Sequence, residues 1–202
     1  SVSMRPSPDS VRAWYVEPLK ISPVKGDGFI GEVAQGGSVN FRDIFFNPHG
    51  HGTHTECLGH ITENIYNVND CVKPGFYSAL LISITPNHIG EDKVILKDQV
   101  AEAMGDVRPE ALLIRTLPNN ESKCFRNYSN SNPAYLEEDA AVFIRDSGVQ
   151  HLLIDTPSVD REEDGGELKA HHAFWNVPQN PRKSASITEL IYASEAVFDG
   201  EY

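Results

Sequence analysis

Hydrophobic positions along the chain follow two patterns, and the change between them comes near Pro74. Before that residue, short aromatic and β-branched segments alternate with Pro and Gly clusters, which is typical of strands joined by loops. Strands are expected there at Val11–Val16, Phe29–Val33 and Val39–Phe46. After that residue, apolar runs that each end close to a proline predict buried strands. They are Ala79–Thr85, Leu112–Thr116 and His151–Asp155.

Two segments between these runs have helical periodicity. One is Lys97–Met104, and the other is Ala134–Asp146, whose apolar residues recur at i, i+4, i+7 and i+8. Pro133 at the start and Gly148 beyond the end favour a helix with those limits. The Asn- and Ser-rich stretch Asn119–Asn132 indicates an irregular surface loop. Strands alternating with helices after a β-rich start predict an α/β or mixed domain, with the sheet covered by helices.

Composition narrows the classes of partner. The length of 202 residues predicts one domain over residues 1–202, and 17 Lys and Arg against 29 Asp and Glu give a net charge of −12. Such an acidic surface repels nucleic acid and anionic lipid, and no apolar run approaches the ~20 residues of a membrane span. A small-molecule partner is therefore expected. The three cysteines, at irregular spacing and without a CxxC motif, indicate reduced thiols, and we expect a cytoplasmic protein.

Four of the eight histidines lie within the segment Asn47–His60. They are His49, His51, His54 and His60. In an extended segment, His54 and Glu56 project to the same side, where both can reach one ion. Imidazole and carboxylate are ligands for zinc and also suit manganese, so the segment predicts a site for a divalent metal.

A second group of polar residues lies far along the chain. Asp155, Ser158 and Asp160 follow a predicted strand, and the histidine pair His171–His172 and Glu189 come later. On spacing alone, His171 could serve a site or could equally be a buried core histidine of an apolar helix. Cys57 lacks an activating pattern, so packing beside the site explains it better than nucleophilic catalysis does.

The segment Gly52–His60, with the sequence GTHTECLGH, resembles the HxGTHxDxxxH signature of the cyclase family, which includes bacterial kynurenine formamidases and isatin hydrolases. The likeness extends to Leu113–Thr116, Leu153–Asp160, Ala170–His171 and Ile187–Leu190. The resemblance implies an α/β fold of the swivelling β/β/α type with a mixed sheet. It also implies a homodimer or higher homo-oligomer and one or two divalent ions, Zn or Mn.

The chain departs from this signature at two positions. Gly50 stands where the first family histidine falls in strict register, so either His49 or His51 would replace that ligand, and we favour His49. Glu56 replaces the family aspartate, which keeps the charge and adds one methylene.

The resemblance also implies roles. One ion would be held by His54, Glu56 and one of the two alternative histidines, and a second by His171 and Glu189 with Glu56 bridging. His60 matches the family histidine that moves protons. The expected reaction is hydrolysis of an amide C–N bond in a formamide or cyclic amide, as in an arylformamidase. A metal-dependent lyase, a lactone hydrolase and a degenerate binding protein without activity remain alternatives.

Overall fold

The computed structural model describes residues Ser1–Tyr202. Its strands are β1 (Lys20–Pro23), β2 (Lys25–Gly26), β3 (Phe29–Ile30), β4 (Arg42–Phe45), β5 (His54–Glu56), β6 (Ala79–Ile84), β7 (Asn87–Ile89), β8 (Asp92–Ile95), β9 (Ala111–Thr116), β10 (Tyr135–Leu136), β11 (His151–Ile154), β12 (Ser186–Glu189) and β13 (Gly200–Glu201). Its α-helices are α1 (Val68–Cys71), α2 (Lys97–Met104), α3 (Glu138–Asp146) and α4 (Lys169–Trp175). Three 3-10 turns cover Val33–Gln35, Leu58–His60 and Glu121–Phe125.

A six-stranded mixed sheet forms the centre of the molecule, in the order β13-β6-β9-β11-β12-β5. The inner strands β6, β9, β11 and β12 run parallel, while β5 and β13 pair antiparallel at the two edges. Parallel strands need covering on both faces, which explains their near-continuous apolar sequences. The predicted α/β class with a mixed sheet is confirmed.

The main core lies between this sheet and its helices. Leu112 and Ile154 on the sheet are fully buried, as are Ile144 of α3 and Phe174 of α4. Full burial of each such side chain contributes about 1.5–3 kcal/mol, which fixes the strand ends that carry the polar residues described below. No helix has both the length and the apolar character required to cross a bilayer. All three cysteines are free, as predicted.

Several element limits differ from the sequence prediction. Val11–Val16 forms no strand, because Trp14 and Tyr15 adopt positive φ angles of 61° and 58° and the chain turns there. Phe29–Val33 is reduced to the two residues of β3 followed by a 3-10 turn, and only Arg42–Phe45 of the third expected strand pairs.

The second predicted helix begins late. Tyr135 and Leu136 form β10, which pairs with β8, so α3 begins at Glu138 rather than at Ala134. Tertiary pairing here overrides the helical period. The stretch Asn119–Asn132 is also more ordered than predicted, since it contains the 3-10 turn Glu121–Phe125. By contrast, α2 has the predicted limits.

Candidate metal centre

Strand β5 places two polar side chains side by side at the edge of the sheet. His54 and Glu56 project to one face, as the spacing predicts, while Thr55 points to the other and meets Thr188. The antiparallel register sets His54 opposite Glu189, the last residue of β12. The Nε2 atom of His54 lies 3.3 Å from Oε2 of Glu189.

The loop before β5 decides which of its histidines reaches this edge. The side-chain oxygen of Asn47 accepts hydrogen bonds from the backbone N–H groups of His49 and Gly50, which fixes a tight turn. A Cβ at Gly50 would lie 2.7 Å from Cγ2 of Val16, so a side chain does not fit at this position. His49 instead projects into the cluster, with Nδ1 3.2 Å from Oε2 of Glu56.

His51 is buried outside the cluster. Its Nδ1 accepts a hydrogen bond from the backbone N–H of Asn47, and its Nε2 donates to the carbonyl of Glu17. Both ring nitrogens are therefore taken up by the backbone, and neither is free for an ion. Of the two alternatives for the first ligand, the structure brings His49 to the site and not His51.

His60 ends the 3-10 turn that follows β5. Its ring stacks on that of His49 at 4.5 Å between centroids, and its Nε2 lies 3.6 Å from Oε2 of Glu56. About a third of the His60 side chain is exposed. This histidine therefore forms part of the solvent-facing wall of the cluster.

Helix α4 supplies His171 from the opposite side. The Nε2 atom of His171 lies 2.9 Å from Oε1 of Glu56 and 3.7 Å from Oε1 of Glu189, and its Nδ1 lies 2.5 Å from Oδ2 of Asp160. Asp160 also accepts the backbone N–H groups of Ala170 and His171 at the start of α4. Asp160 thus fixes both the helix and the imidazole ring, a role that spacing alone did not assign.

His172, the next residue, does not join the cluster, because its Nδ1 donates to the carbonyl of Val177. Glu189 is anchored from behind, since its Oε1 accepts the backbone N–H of Val159. The structure therefore brings together six of the predicted residues. They are His49, His54, Glu56, His60, His171 and Glu189.

Two atoms of the cluster identify the chemistry it fits. Nε2 of His54 and Oε2 of Glu56 are buried and make no hydrogen bond. Unsatisfied buried polar atoms are costly, and a cation between them would satisfy both. The donor atoms of His49, His54 and Glu56 lie within 4.8 Å of one another, and so do those of Glu56, His60 and His171. A nitrogen and carboxylate set of this kind fits a divalent transition metal.

The carboxylates and imidazoles shift one another's protonation. Burial would raise the pKa of Glu56, but the adjacent rings of His171 and His49 outweigh it and lower this pKa to about 2. Burial likewise disfavours a charged His171, yet Asp160 and Glu56 raise its pKa to about 10. Without a metal, both ring nitrogens of His171 therefore donate to carboxylates.

His60 is shifted in the opposite direction. Burial lowers the pKa of His60, and repulsion from the neighbouring histidines lowers it further. The nearby Glu56 carboxylate raises this pKa, but not enough to offset the other two effects. Burial and the nearby Glu56 carboxylate raise the pKa of Glu189. At His54, burial lowers the pKa, but the carboxylate of Glu189 outweighs this effect and the pKa is raised. His60 is therefore the one histidine of the cluster that both reaches solvent and has a lowered pKa.

Comparisons of the fold identify related structures. A potential metal-dependent hydrolase with cyclase activity is 19% identical, with a TM-score of 0.63 over 100% of this chain and 85% of that one. A predicted metal-dependent hydrolase from Bacillus stearothermophilus is 19% identical, with a TM-score of 0.56 over 96% and 85%. An isatin hydrolase bound to the product analogue thioisatinate is 13% identical, with a TM-score of 0.59 over 97% and 80%. These likenesses establish a shared fold.

The sequence itself identifies the family. No curated protein sequence matches the chain. The Cyclase family model, described as "Putative cyclase", matches residues 2–161, which include β5 and the whole histidine-rich segment. The chain therefore belongs to the Cyclase family.

Proposed function

We propose that this protein is a metal-dependent hydrolase that cleaves the C–N bond of an amide, in an arylformamide or a cyclic amide. The observation that carries the proposal is the pair of buried, unsatisfied atoms, Nε2 of His54 and Oε2 of Glu56, at the centre of the cluster. Its support from related proteins is the fold shared with metal-dependent hydrolases and an isatin hydrolase.

The residues that would hold a divalent ion, zinc or manganese, are His49, His54 and Glu56. His171 and Glu189 lie where they could complete a second position around Glu56. Such an ion polarises a carbonyl group and makes water a better nucleophile at neutral pH.

The chain's own residues supply proton transfer and orientation. His60, whose lowered pKa keeps it neutral at pH 7, can accept the proton of the attacking water at Nε2 and return it to the leaving nitrogen. Protonation of that nitrogen matters because an amine anion is a poor leaving group. Asp160 holds His171 by its Nδ1, so this ring keeps one orientation throughout the reaction.

Metal analysis together with product analysis tests this function. The purified protein, incubated with zinc or manganese and then desalted, should retain at least one equivalent by elemental analysis. The double variant His54→Ala plus Glu56→Ala should retain almost none, while His88→Ala, an exposed histidine outside the cluster, serves as the matched control. Wild-type protein without bound metal under these conditions would contradict the proposal.

Activity is measured on a panel of N-formyl aromatic amines and cyclic amides, with products identified by NMR. Release of an amine or an amino acid together with a carboxylate supports amide hydrolysis. Turnover of lactones alone would assign the site to lactone hydrolysis. A product formed without addition of water would assign it to a lyase.

We also propose that the protein is a cytoplasmic homodimer or higher homo-oligomer, in which the two-stranded β1–β4 sheet is covered by a second copy. A pair of strands is marginally stable alone, yet this pair and the residues that flank β4 expose a set of large apolar side chains. They are Ile21, Phe41, Ile44, Phe45 and Phe46. Strand β4 leads directly to the turn that carries His49, so covering this sheet would also stabilise the site.

The mass in solution tests the assembly. Light scattering should give at least twice the chain mass of 22.4 kDa, and Ile44→Ser plus Phe45→Ser should give the single-chain mass. Phe198→Ser, an equally exposed aromatic residue elsewhere, should leave the assembly intact. A wild-type protein of single-chain mass at 50–100 μM would contradict the proposal, since this range exceeds the dissociation constants of stable dimers.

A further inference from the structure

A cavity opens at the carboxyl ends of three parallel strands, outside the metal cluster. It has a volume of about 370 Å³, within the range of small-molecule sites, and its floor includes Thr116 at the end of β9 and Asp155 just after β11. None of the six cluster residues lines it. Ligands of open α/β sheets bind at this edge, beyond the carboxyl ends of the strands.

The charges on the cavity wall are the opposite of those on the rest of the molecule. Lys93, Lys123 and Arg126 line it, and Asp155 is its one acidic residue. The chain as a whole carries a net charge of −12. A local excess of cations on such an acidic protein produces a region that attracts anions, whereas the remaining surface repels them.

The buried cation and anion neutralise each other. Nζ of Lys123 lies 2.7 Å from Oδ2 of Asp155, and it also donates to the backbone carbonyl and the hydroxyl of Thr116. Asp155 in turn accepts the backbone N–H and hydroxyl of Thr116. The charges of Lys123 and Asp155 are therefore paired within the fold and form the floor of the cavity. Lys93 and Arg126 supply the excess positive charge of the cavity wall.

These two remaining cations have no acidic partner. The ion pairs of the molecule involve neither Lys93 nor Arg126. Lys93 lies opposite His88 in the β7–β8 hairpin, and both line the cavity. Residues directly opposite each other in an antiparallel pair project to the same face, so the side chains of Lys93 and His88 share one side of the cavity wall.

Tyr128 adds a neutral donor beside these cations. The guanidinium of Arg126 lies 5.3 Å from the centre of the Tyr128 ring, which restrains the Arg126 side chain at the cavity wall. Burial and the nearby Asp155 raise the pKa of the Tyr128 hydroxyl, so it keeps its proton.

We propose that this cavity is a binding site for a small molecule carrying an oxyanion group, a phosphate or a carboxylate, held by Lys93 and Arg126. A guanidinium offers paired N–H donors that match such a group, and an ammonium adds a further charge-assisted hydrogen bond. The site is separate from the proposed hydrolytic centre and stands whether or not that centre is active.

Backbone amide NMR tests the site on the full chain, at constant ionic strength held with chloride. Inorganic phosphate and acetate are titrated separately to 20 mM. We expect saturable shifts of amides at residues 88, 93, 116, 126 and 128 with one or both probes. Saturation at lower concentration by phosphate assigns a phosphorylated ligand, and saturation at lower concentration by acetate assigns a carboxylate ligand.

Two pairs of basic residues provide the variant and its control, one pair in the cavity wall and one on the exposed surface. Lys93→Gln plus Arg126→Gln should weaken the binding of the effective probe at least about ten-fold, as expected for loss of charge-assisted hydrogen bonds. Lys20→Gln plus Lys25→Gln makes the same change in net charge at exposed positions and should leave binding unchanged. The proposal is overturned if neither probe saturates at these amides, if the shifts are confined to the metal cluster, or if the two variants weaken binding equally.

Discussion

At the scale of single residues, the packing around Gly50 explains how the family signature is altered in this chain. The position that would carry the first histidine lies against Val16, where a Cβ would approach to 2.7 Å. The adjacent His49 takes over the approach to Glu56, and His51 turns inward to bind the backbone. The packing around Gly50 therefore disfavours a side chain at this position, whereas His49 reaches Glu56 without such a contact.

This arrangement predicts opposite effects for two neighbouring substitutions. His49→Ala should weaken metal affinity by more than about 100-fold. Loss of a residue that only hydrogen-bonds to a metal ligand already weakens affinity about 10–100-fold, and loss of a ligand should weaken it more. His51→Ala should keep the metal but lower the free energy of unfolding by about 1–3 kcal/mol, because it removes a buried imidazole that hydrogen-bonds two backbone groups. Metal titration and urea denaturation of both variants measure the two effects. Metal loss in His51→Ala with retention in His49→Ala would reverse the assignment.

His60 gives a prediction that separates chemistry from metal retention. Its position on the exposed wall and its lowered pKa suit proton transfer, although its Nε2 is also within ligand reach of Glu56 and His171. In His60→Ala we expect metal content near that of the wild type and a hydrolysis rate lower by about 10²–10⁴-fold. Steady-state kinetics and elemental analysis on the same sample measure both. Metal lost in proportion to activity would make His60 a ligand instead.

At the scale of elements, the start of helix α4 links folding to the site. Asp160 accepts two backbone N–H groups at the start of the helix and also contacts His171. Asp164 likewise accepts two backbone N–H groups, those of Gly166 and Leu168 just before the helix, but it contacts no histidine. The two aspartates therefore share a structural role and differ in their contact with the cluster.

Asp160→Asn should accordingly weaken metal affinity about 10–100-fold, the usual effect of losing a carboxylate behind a ligand histidine. Asp164→Asn, the matched control, should lower stability to a similar degree with metal affinity unchanged. Competition against a chromophoric chelator measures the affinities, and thermal unfolding measures the stabilities. Equal affinities in the two variants would limit Asp160 to a structural role.

The elements also show what the sequence could and could not predict. The limits of α2 and the shared face of His54 and Glu56 follow from local periodicity, so both were predictable. The late start of α3 was not, because Tyr135 and Leu136 pair with β8, a partner about forty residues away. Lys123 was missed for a similar reason, since its burial depends on Asp155, which no local pattern connects to it.

At the scale of the whole molecule, the candidate ligands come from distant parts of the chain. His49 and His54 come before β6, the first inner strand. His171 lies on α4 after β11, Glu189 ends β12, and only the folded sheet and α4 bring the four together. An unfolded chain offers no such set, so a metal should bind the native state far more tightly than the unfolded state.

Metal binding should therefore raise the thermal stability of the protein. A ligand at 100 times its dissociation constant stabilises the native state by about 2.7 kcal/mol, and each kcal/mol raises Tm by about 2–4 °C at this chain length. We expect the chelator-treated protein to melt about 5–10 °C below the zinc- or manganese-loaded protein in a calorimetric scan. The His54→Ala plus Glu56→Ala variant should melt at one temperature with or without metal, whereas His88→Ala should retain the full difference. The contradicting result is an unchanged wild-type Tm after chelation, with elemental analysis showing that the ion has been removed. In that case the metal does not link these elements, and the cluster is held by its hydrogen bonds alone.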